Sequence, residues 1–221
     1  MDYLPVFLDL RGSHCLVVGG GAAAARKAAL LERAGARVSI VACRLGPDLR
    51  GAVRRGAAAH LAEFFAPAQL DGVALVIVAD ETLAVNEAVS RAARARSIPV
   101  NVMDEPALCS FIMPAIVDRS PVVVAVATGG SAPVLARLLC EWLDHVLPAR
   151  LGALAAFAGR FRALLERRLP DLIARRRFWE EIFAGDVAAQ VLEGEEARAG
   201  AALLSAIDRA KGKPTRDSVA A

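Results

Sequence analysis

The chain has 221 residues, more than one average domain and fewer than two, so a nucleotide-sized domain with a smaller appendage is expected. Hydrophobic residues make up 56% and aromatic ones only 5%, but the apolar share rests on alanine spread through charged helical segments, and no apolar run approaches the ~18 residues of a membrane-spanning helix. Lys and Arg number 27 against 24 Asp and Glu, a balance that speaks against a dedicated nucleic-acid binder, and the start Met1–Pro5 lacks the basic-then-apolar pattern of a secretory leader. A cytoplasmic protein is expected, with neither nucleic acid nor membrane as a partner.

The first element is the apolar run Cys15–Val18, which ends in Gly19-Gly20-Gly21 and leads into an alanine-rich stretch to Leu31 with a stop at Gly35. This pattern predicts strand, tight turn, helix and C-cap. Val38–Val41 is the second predicted strand, and the wholly apolar Leu75–Ala79 the third, suited to a parallel sheet covered on both faces. A helix over Leu83–Ser97 precedes a fourth strand, Pro99–Val102, whose carboxyl end delivers Met103-Asp104-Glu105-Pro106. Strands alternating with helices predict an α/β fold with a Rossmann-like parallel sheet, whose ligands sit at the carboxyl ends of the strands.

From Phe111 the pattern changes to two strands, Phe111–Asp118 and Pro121–Val126, joined by a turn at Asp118–Pro121, a hairpin signal. The remainder reads as arginine-rich helices with breaks at Pro148 and Pro170, and a disordered tail from Lys211. The expected divisions are therefore 1–113, 114–147, 148–210 and 211–221. Cys15, Cys43, Cys109 and Cys140 are widely spaced, as are His14, His60 and His145, so no preformed metal site is expected and the cysteines read as reduced core thiols.

Gly19-Gly20-Gly21-Ala22-Ala23-Ala24 fits G-x-G-x-x-A, the turn that brings a backbone close to a pyrophosphate at a helix N-terminus. The spacing alone is weak, but its place after a strand and before a helix makes Gly19, Gly21, Ala22, Ala23 and Ala24 the candidate cofactor contacts. The acidic residue that grips ribose hydroxyls is missing after the second strand, where Ala42-Cys43-Arg44 stands. Main-chain groups near Cys43 can replace it, or Arg44 can take a 2′-phosphate, which leaves NAD and NADP both open on chemistry alone.

Several strings occur in one order: Asp2–Phe7, Val18–Gly21 with Arg26-Lys27, Asn101–Asp104, Ser110–Ala115, Asp118–Pro121, Pro133–Arg137 and Arg175–Glu180. Together they resemble the precorrin-2 dehydrogenase/sirohydrochlorin ferrochelatase module of the siroheme synthase family, over nearly the whole chain. No second strand and glycine-rich loop opening a methyltransferase domain appears before Ala221, so the sequence looks like a standalone or truncated module without that domain. The resemblance implies an NAD-binding Rossmann domain, a small α+β dimerisation region made of the hairpin and the next helix, a helical domain, and a homodimer. It implies NAD-dependent oxidation of precorrin-2 to sirohydrochlorin and insertion of ferrous iron to give siroheme.

Such an oxidation removes a hydride and a proton, and the family's essential aspartate falls on Asp104, the candidate general base for both steps. The alternative for Asp104 is a turn-capping role before Pro106. Asn101 is a candidate for orienting substrate, or else satisfies backbone at a strand edge. Thr128 and Gly129 offer a hydroxyl and N–H groups for a substrate carboxylate, or simply cap the following helix. The family's usual serine before Pro133 is Ala132 here, with Ser131 one place earlier. Arg150, Arg160, Arg162, Arg167, Arg168 and Arg175–Arg177 face few acids in sequence, a basic stretch that suits a polycarboxylate or forms a solvated face. Competing readings are a dehydrogenase that leaves chelation to another protein and a non-catalytic sensor or carrier of tetrapyrrole or NAD. An unrelated reductase is disfavoured, because Tyr3 is the only tyrosine.

Overall fold

The computed structural model of the chain describes residues 2–80 and 82–211. The segment after Lys211, expected to be disordered, lies outside the described residues. The chain forms two compact units: residues up to Met113 with Gly129–Ser131, and Pro114–Thr128 with the chain from Ala132 onward.

The first unit runs β1 (His14–Val18), α1 (Ala22–Arg33), β2 (Arg37–Val41), α2 (Pro47–Arg54), β3 (Ala58–Ala62), β4 (Val73–Val78), α3 (Leu83–Ala95) and β5 (Val100–Val102). These strands make a parallel five-stranded sheet in the order β3-β2-β1-β4-β5. Strand side chains alternate between faces, so Cys15, Val17, Val38, Ile40 and Ile77 bury against Ala24, Ala28 and Leu31 of α1 and Leu49 of α2. Leu16, Val18, Val41, Val76 and Val78 point the other way, against Val89 and Ala93 of α3. Both faces are covered, which is why β1 and β4 are apolar almost throughout.

The sequence reading overlooked β3, so Leu75–Ala79 belongs to the fourth strand and Pro99–Val102 to the fifth. The reason is physical: Ala-Ala-His-Leu-Ala has weak strand propensity, and this edge strand is exposed over most of its length.

In the second unit β6 (Ala115–Arg119) and β7 (Val122–Val126) pair antiparallel, followed by α4 (Pro133–Val146), α5 (Leu151–Arg168), α6 (Leu172–Ala184), α7 (Asp186–Glu193) and α8 (Glu196–Lys211). The hairpin is shorter than predicted, since Phe111–Pro114 stays outside β6. The helical part breaks at Gly185 and Gly194 as well as at the prolines. Leu154, Phe157 and Leu165 of α5 close its core against Phe178, Ile182, Val191, Leu203 and Ile207. No helix among the described residues is long and apolar enough to cross a membrane.

Gly152, in the first turn of α5, lies against the carbonyl oxygens of Arg119 and Ser120, so a Cβ there would collide with backbone. Gly159, two turns on, meets nothing within 4 Å. The same substitution therefore has opposite effects in one helix. Gly152→Ala is expected to destabilise the protein by about 1–3 kcal/mol, through overpacking against rigid atoms. Gly159→Ala is expected to stabilise it by about 0.5–1 kcal/mol, through helix propensity. Thermal or denaturant unfolding of the two variants beside the parent checks both signs.

Candidate functional site

The order of the sheet reverses between β1 and β4, and at such a switch point the loops leaving the carboxyl ends part to form a crevice. The glycine turn sits there. Gly19 donates its N–H to Val41 O at 2.9 Å, and a Cβ on it would collide with the carbonyl of Ala79, just past β4. Gly20 presses on the Arg44 carbonyl, and its own carbonyl accepts the Gly46 N–H at 2.8 Å. Gly21 is the N-cap of α1 and has no neighbour where a Cβ would stand, so this side of the turn is open. The N–H groups of Ala22, Ala23 and Ala24 form the first turn of α1, which contains no acidic residue. Such groups lack intrahelical acceptors and carry the positive end of the helix dipole. Ala24 is fully buried in the helix–strand contact, where only a small side chain fits. The turn, its open side and its donors fit a dinucleotide pyrophosphate.

The loop from Ala42 to Gly46 is fastened on several sides. His60 Nε2 donates to Ala42 O at 2.9 Å, Cys43 Sγ donates to Glu63 O at 3.4 Å, and an Arg50 guanidinium nitrogen donates to Leu45 O at 3.0 Å. Cys43 and Arg44 are both exposed, and Cys43 is thus a surface thiol rather than the core residue expected.

Asp104 stands one residue beyond β5, after Met103, is exposed, and has φ of 60°, the left-handed region that aspartate enters more readily than most residues. Cys109 holds this bend. Its sulfur accepts the Val102 N–H at 3.1 Å and lies 3.2 Å from Val102 O and 3.5 Å from Glu105 O, either of which can take its single proton. The strand beside it is stitched further by Ser110, whose Oγ accepts the Val100 N–H at 2.8 Å, and by Ser90, whose Oγ donates to Leu108 O at 2.7 Å. Arg94 donates to Cys109 O at 2.6 Å. Asn101 is 8% exposed, and its Nδ2 donates to Phe111 O at 3.0 Å, which employs the amide in holding backbone.

Two residues here had no distinct signal in the sequence. Cys109 read as one more core thiol. Asn86, on α3 beside the end of β4, is buried; its Nδ2 donates to Asp80 O at 3.3 Å while its Oδ1 has no donor. An apolar pattern locates a helix face but does not announce a polar residue that turns inward.

In the second unit Thr128 Oγ1 accepts the Ala132 N–H at 3.1 Å. The threonine thus ties down the N–H of the N-cap residue, while the first turn of α4 itself has no side-chain cap. Gly129 is exposed, with φ of 64°.

The basic helical stretch is largely occupied with itself. Arg150 and Arg160 share Glu196 at 3.3 and 2.7 Å, and the hydrogen bond from Arg160 holds that carboxyl below its usual range. Arg162 pairs with Glu166 and Arg176 with Glu180 one turn on, Arg168 reaches Asp208, and Arg175 donates to the Leu169 and Pro170 carbonyls. Among the described residues, Arg167 and Arg177 make no such bond.

An NAD(P)-binding family model matches residues 6–115, and the model of the sirohaem synthase dimerisation region matches residues 150–207. The siroheme synthase of Methylobacillus flagellatus is 53% identical over 196 residues, 89% of this chain and 42% of that protein. The enzyme of the same name from Thiobacillus denitrificans is 48% identical over 99% of this chain and 46% of its own length. The chain thus spans less than half the length of these curated relatives. The solved structure of SirC, precorrin-2 dehydrogenase, superposes with a TM-score of 0.74 at 22% identity, over 92% of this chain and all of that one, a likeness of fold. Taken with the glycine turn at the switch point, these matches place the chain in the siroheme synthase family, over the part that carries the NAD(P)-binding and dimerisation regions.

Proposed function

We propose that the chain oxidises precorrin-2 to sirohydrochlorin with NAD as hydride acceptor, then inserts ferrous iron to give siroheme, with Asp104 as the base in both steps. The observation that carries this reading is the shared sheet edge. The open glycine turn after β1 and the exposed carboxylate after β5 both leave carboxyl ends of one parallel sheet. The names of the relatives, siroheme synthase and precorrin-2 dehydrogenase, support the substrate.

NAD supplies the hydride acceptor. The first-turn N–H groups of α1 bind its pyrophosphate, Gly21 allows the close approach, and the segment at Cys43 and Arg44 meets the adenosine ribose. With NAD bound as hydride acceptor, the Asp104 carboxylate would take the proton that leaves precorrin-2 in the oxidation. Asp104 returns its proton to solvent; ferrous iron, a substrate, then displaces two pyrrole protons, which leave one after the other by way of the same carboxylate to water. Asn101, Thr128 and Gly129 are the proposed substrate contacts, the last two through a hydroxyl and a backbone N–H.

Residues 1–113 form the NAD-binding part and 148–210 a helical part in this reading, of a cytoplasmic enzyme. Residues 114–147 join two copies in this reading, although the dimerisation-region model matches the helical part, 150–207. The last assignment is supported by α4, where Val134, Leu135, Leu138, Trp142 and Val146 are 50–62% exposed along one side, a stripe too apolar to stay in water.

Anaerobic incubation of the protein with precorrin-2 and NAD, followed through NADH and the macrocycle spectrum with iron added afterwards, tests the chemistry. Asp104→Asn keeps a residue that tolerates the left-handed backbone and removes the base; it is expected to slow both steps about 10²–10⁴-fold. Oxidation without iron insertion above a protein-free control leaves a dehydrogenase only. No NADH from protein with bound cofactor favours a sensor or carrier. Cys109→Ala is expected to lower kcat more than it changes KM, and Cys109→Ser to recover part of the loss. Equal rates in all three proteins would show that the thiol does not position Asp104. In sedimentation, Leu138→Glu with Trp142→Glu is expected to convert a dimer to a monomer that keeps its helical circular dichroism.

A further inference from the structure

The segment after β2 decides which nicotinamide dinucleotide a sheet of this kind accepts, because it meets the adenosine ribose. A carboxylate there accepts from the 2′-hydroxyl and repels a 2′-phosphate, so it selects NAD twice over. No acidic residue stands between Val41 and Pro47. The neighbouring acids are Asp48, in the first turn of α2, and Glu63, beyond β3, and neither occupies the position that follows β2.

What stands there is Arg44. Its carbonyl packs on Gly20, and the Gly46 N–H bonds to the Gly20 carbonyl, so its backbone is fixed against the turn that receives the pyrophosphate. Its neighbours are engaged: Ala42 O by His60, the Cys43 thiol by Glu63 O, and Leu45 O by Arg50. Arg44 is exposed, and its guanidinium has no partner among the described residues. In a dinucleotide the adenosine ribose is one phosphate ester from the pyrophosphate, a span that an arginine side chain anchored at that turn would match. A free guanidinium is the group that matches a phosphate with two parallel hydrogen bonds.

We infer that Arg44 makes the cofactor site tolerant of a 2′-phosphate, so that NADP is accepted as well as NAD. The inference rests on the dinucleotide reading of the glycine turn and extends it from the pyrophosphate to the ribose. It needs neither precorrin-2 nor Asp104, and is read by binding alone.

The test is calorimetric titration of the whole protein, parent and Arg44→Ala, Arg44→Lys and Arg44→Asp, with NAD and NADP. The fragments 5′-AMP and 2′,5′-ADP, which carry only the adenosine end, are titrated in parallel. The parent is expected to bind NADP at least as tightly as NAD, and 2′,5′-ADP about tenfold more tightly than 5′-AMP. Arg44→Ala should lower the ratio of NADP to NAD affinity about tenfold, Arg44→Asp should lower it further, and Arg44→Lys should restore part of it. Added salt should weaken NADP more than NAD. An NADP affinity more than about tenfold below that of NAD in the parent, or a ratio unmoved by Arg44→Asp, overturns the inference and leaves NAD binding at the turn intact. Failure of both dinucleotides to bind overturns the inference together with the dinucleotide reading beneath it.

Discussion

A carbonyl oxygen is a hard, rigidly placed object, and two of them close on the Gly19–Gly20 turn from opposite sides, Ala79 at the end of β4 and Arg44 in the loop after β2. No side chain fits between. That close approach lets β1 lie in the middle of the sheet with loops on both flanks drawn against its exit. It also ties the β2 loop to the turn through the bond from Gly46 N–H to Gly20 O. The direction of α1, the open side of Gly21 and the backbone position of Arg44 all follow from it. A methyl group at residue 20 would have to push the Arg44 segment away, and with it the wall on which an adenosine would rest.

How much of this was legible in the sequence depended on whether a residue's role was written in its own type. β1, α1, β2 and α3 declared themselves through runs of apolar residues and the glycine punctuation, because burial on both faces demands it. β3 did not, since an edge strand of alanines and histidine has little need of apolar or branched side chains. The glycine spacing pointed to the turn, and the string Ser110–Ala115 pointed to the family. Neither disclosed that Cys109 and Ser110 act as backbone clasps around the bend at Asp104, because a thiol in a hydrogen-bond network and a thiol in a core are the same letter. The left-handed backbone at Asp104 was equally silent, being a property of the bend and not of the residue's neighbours in sequence.

The arginines teach the converse lesson. As a string they read as a basic surface awaiting an anion, yet six of the eight in the helical stretch are engaged by carboxylates or backbone carbonyls of the same unit. Helical spacing explains much of it: Arg162–Glu166 and Arg176–Glu180 are one turn apart and meet without tertiary help. Exposed pairs of this kind contribute little to stability. Their larger effect is to flatten the local potential, so that any recognition of a polyanion falls to the few guanidinium groups left over.

The bend at Asp104 behaves as a latched spring. A left-handed residue costs on the order of 1 kcal/mol relative to relaxed backbone, a cost met by its surroundings. Here the latch consists of the Cys109 sulfur and the end of β5, a three-residue edge strand whose outer side is met by Cys109 and Ser110 and not by a further strand. The position of the carboxylate and the intactness of the sheet's last strand are therefore a single variable. Fraying of β5 releases the bend, and while the bend holds, the strand is registered to its final residue.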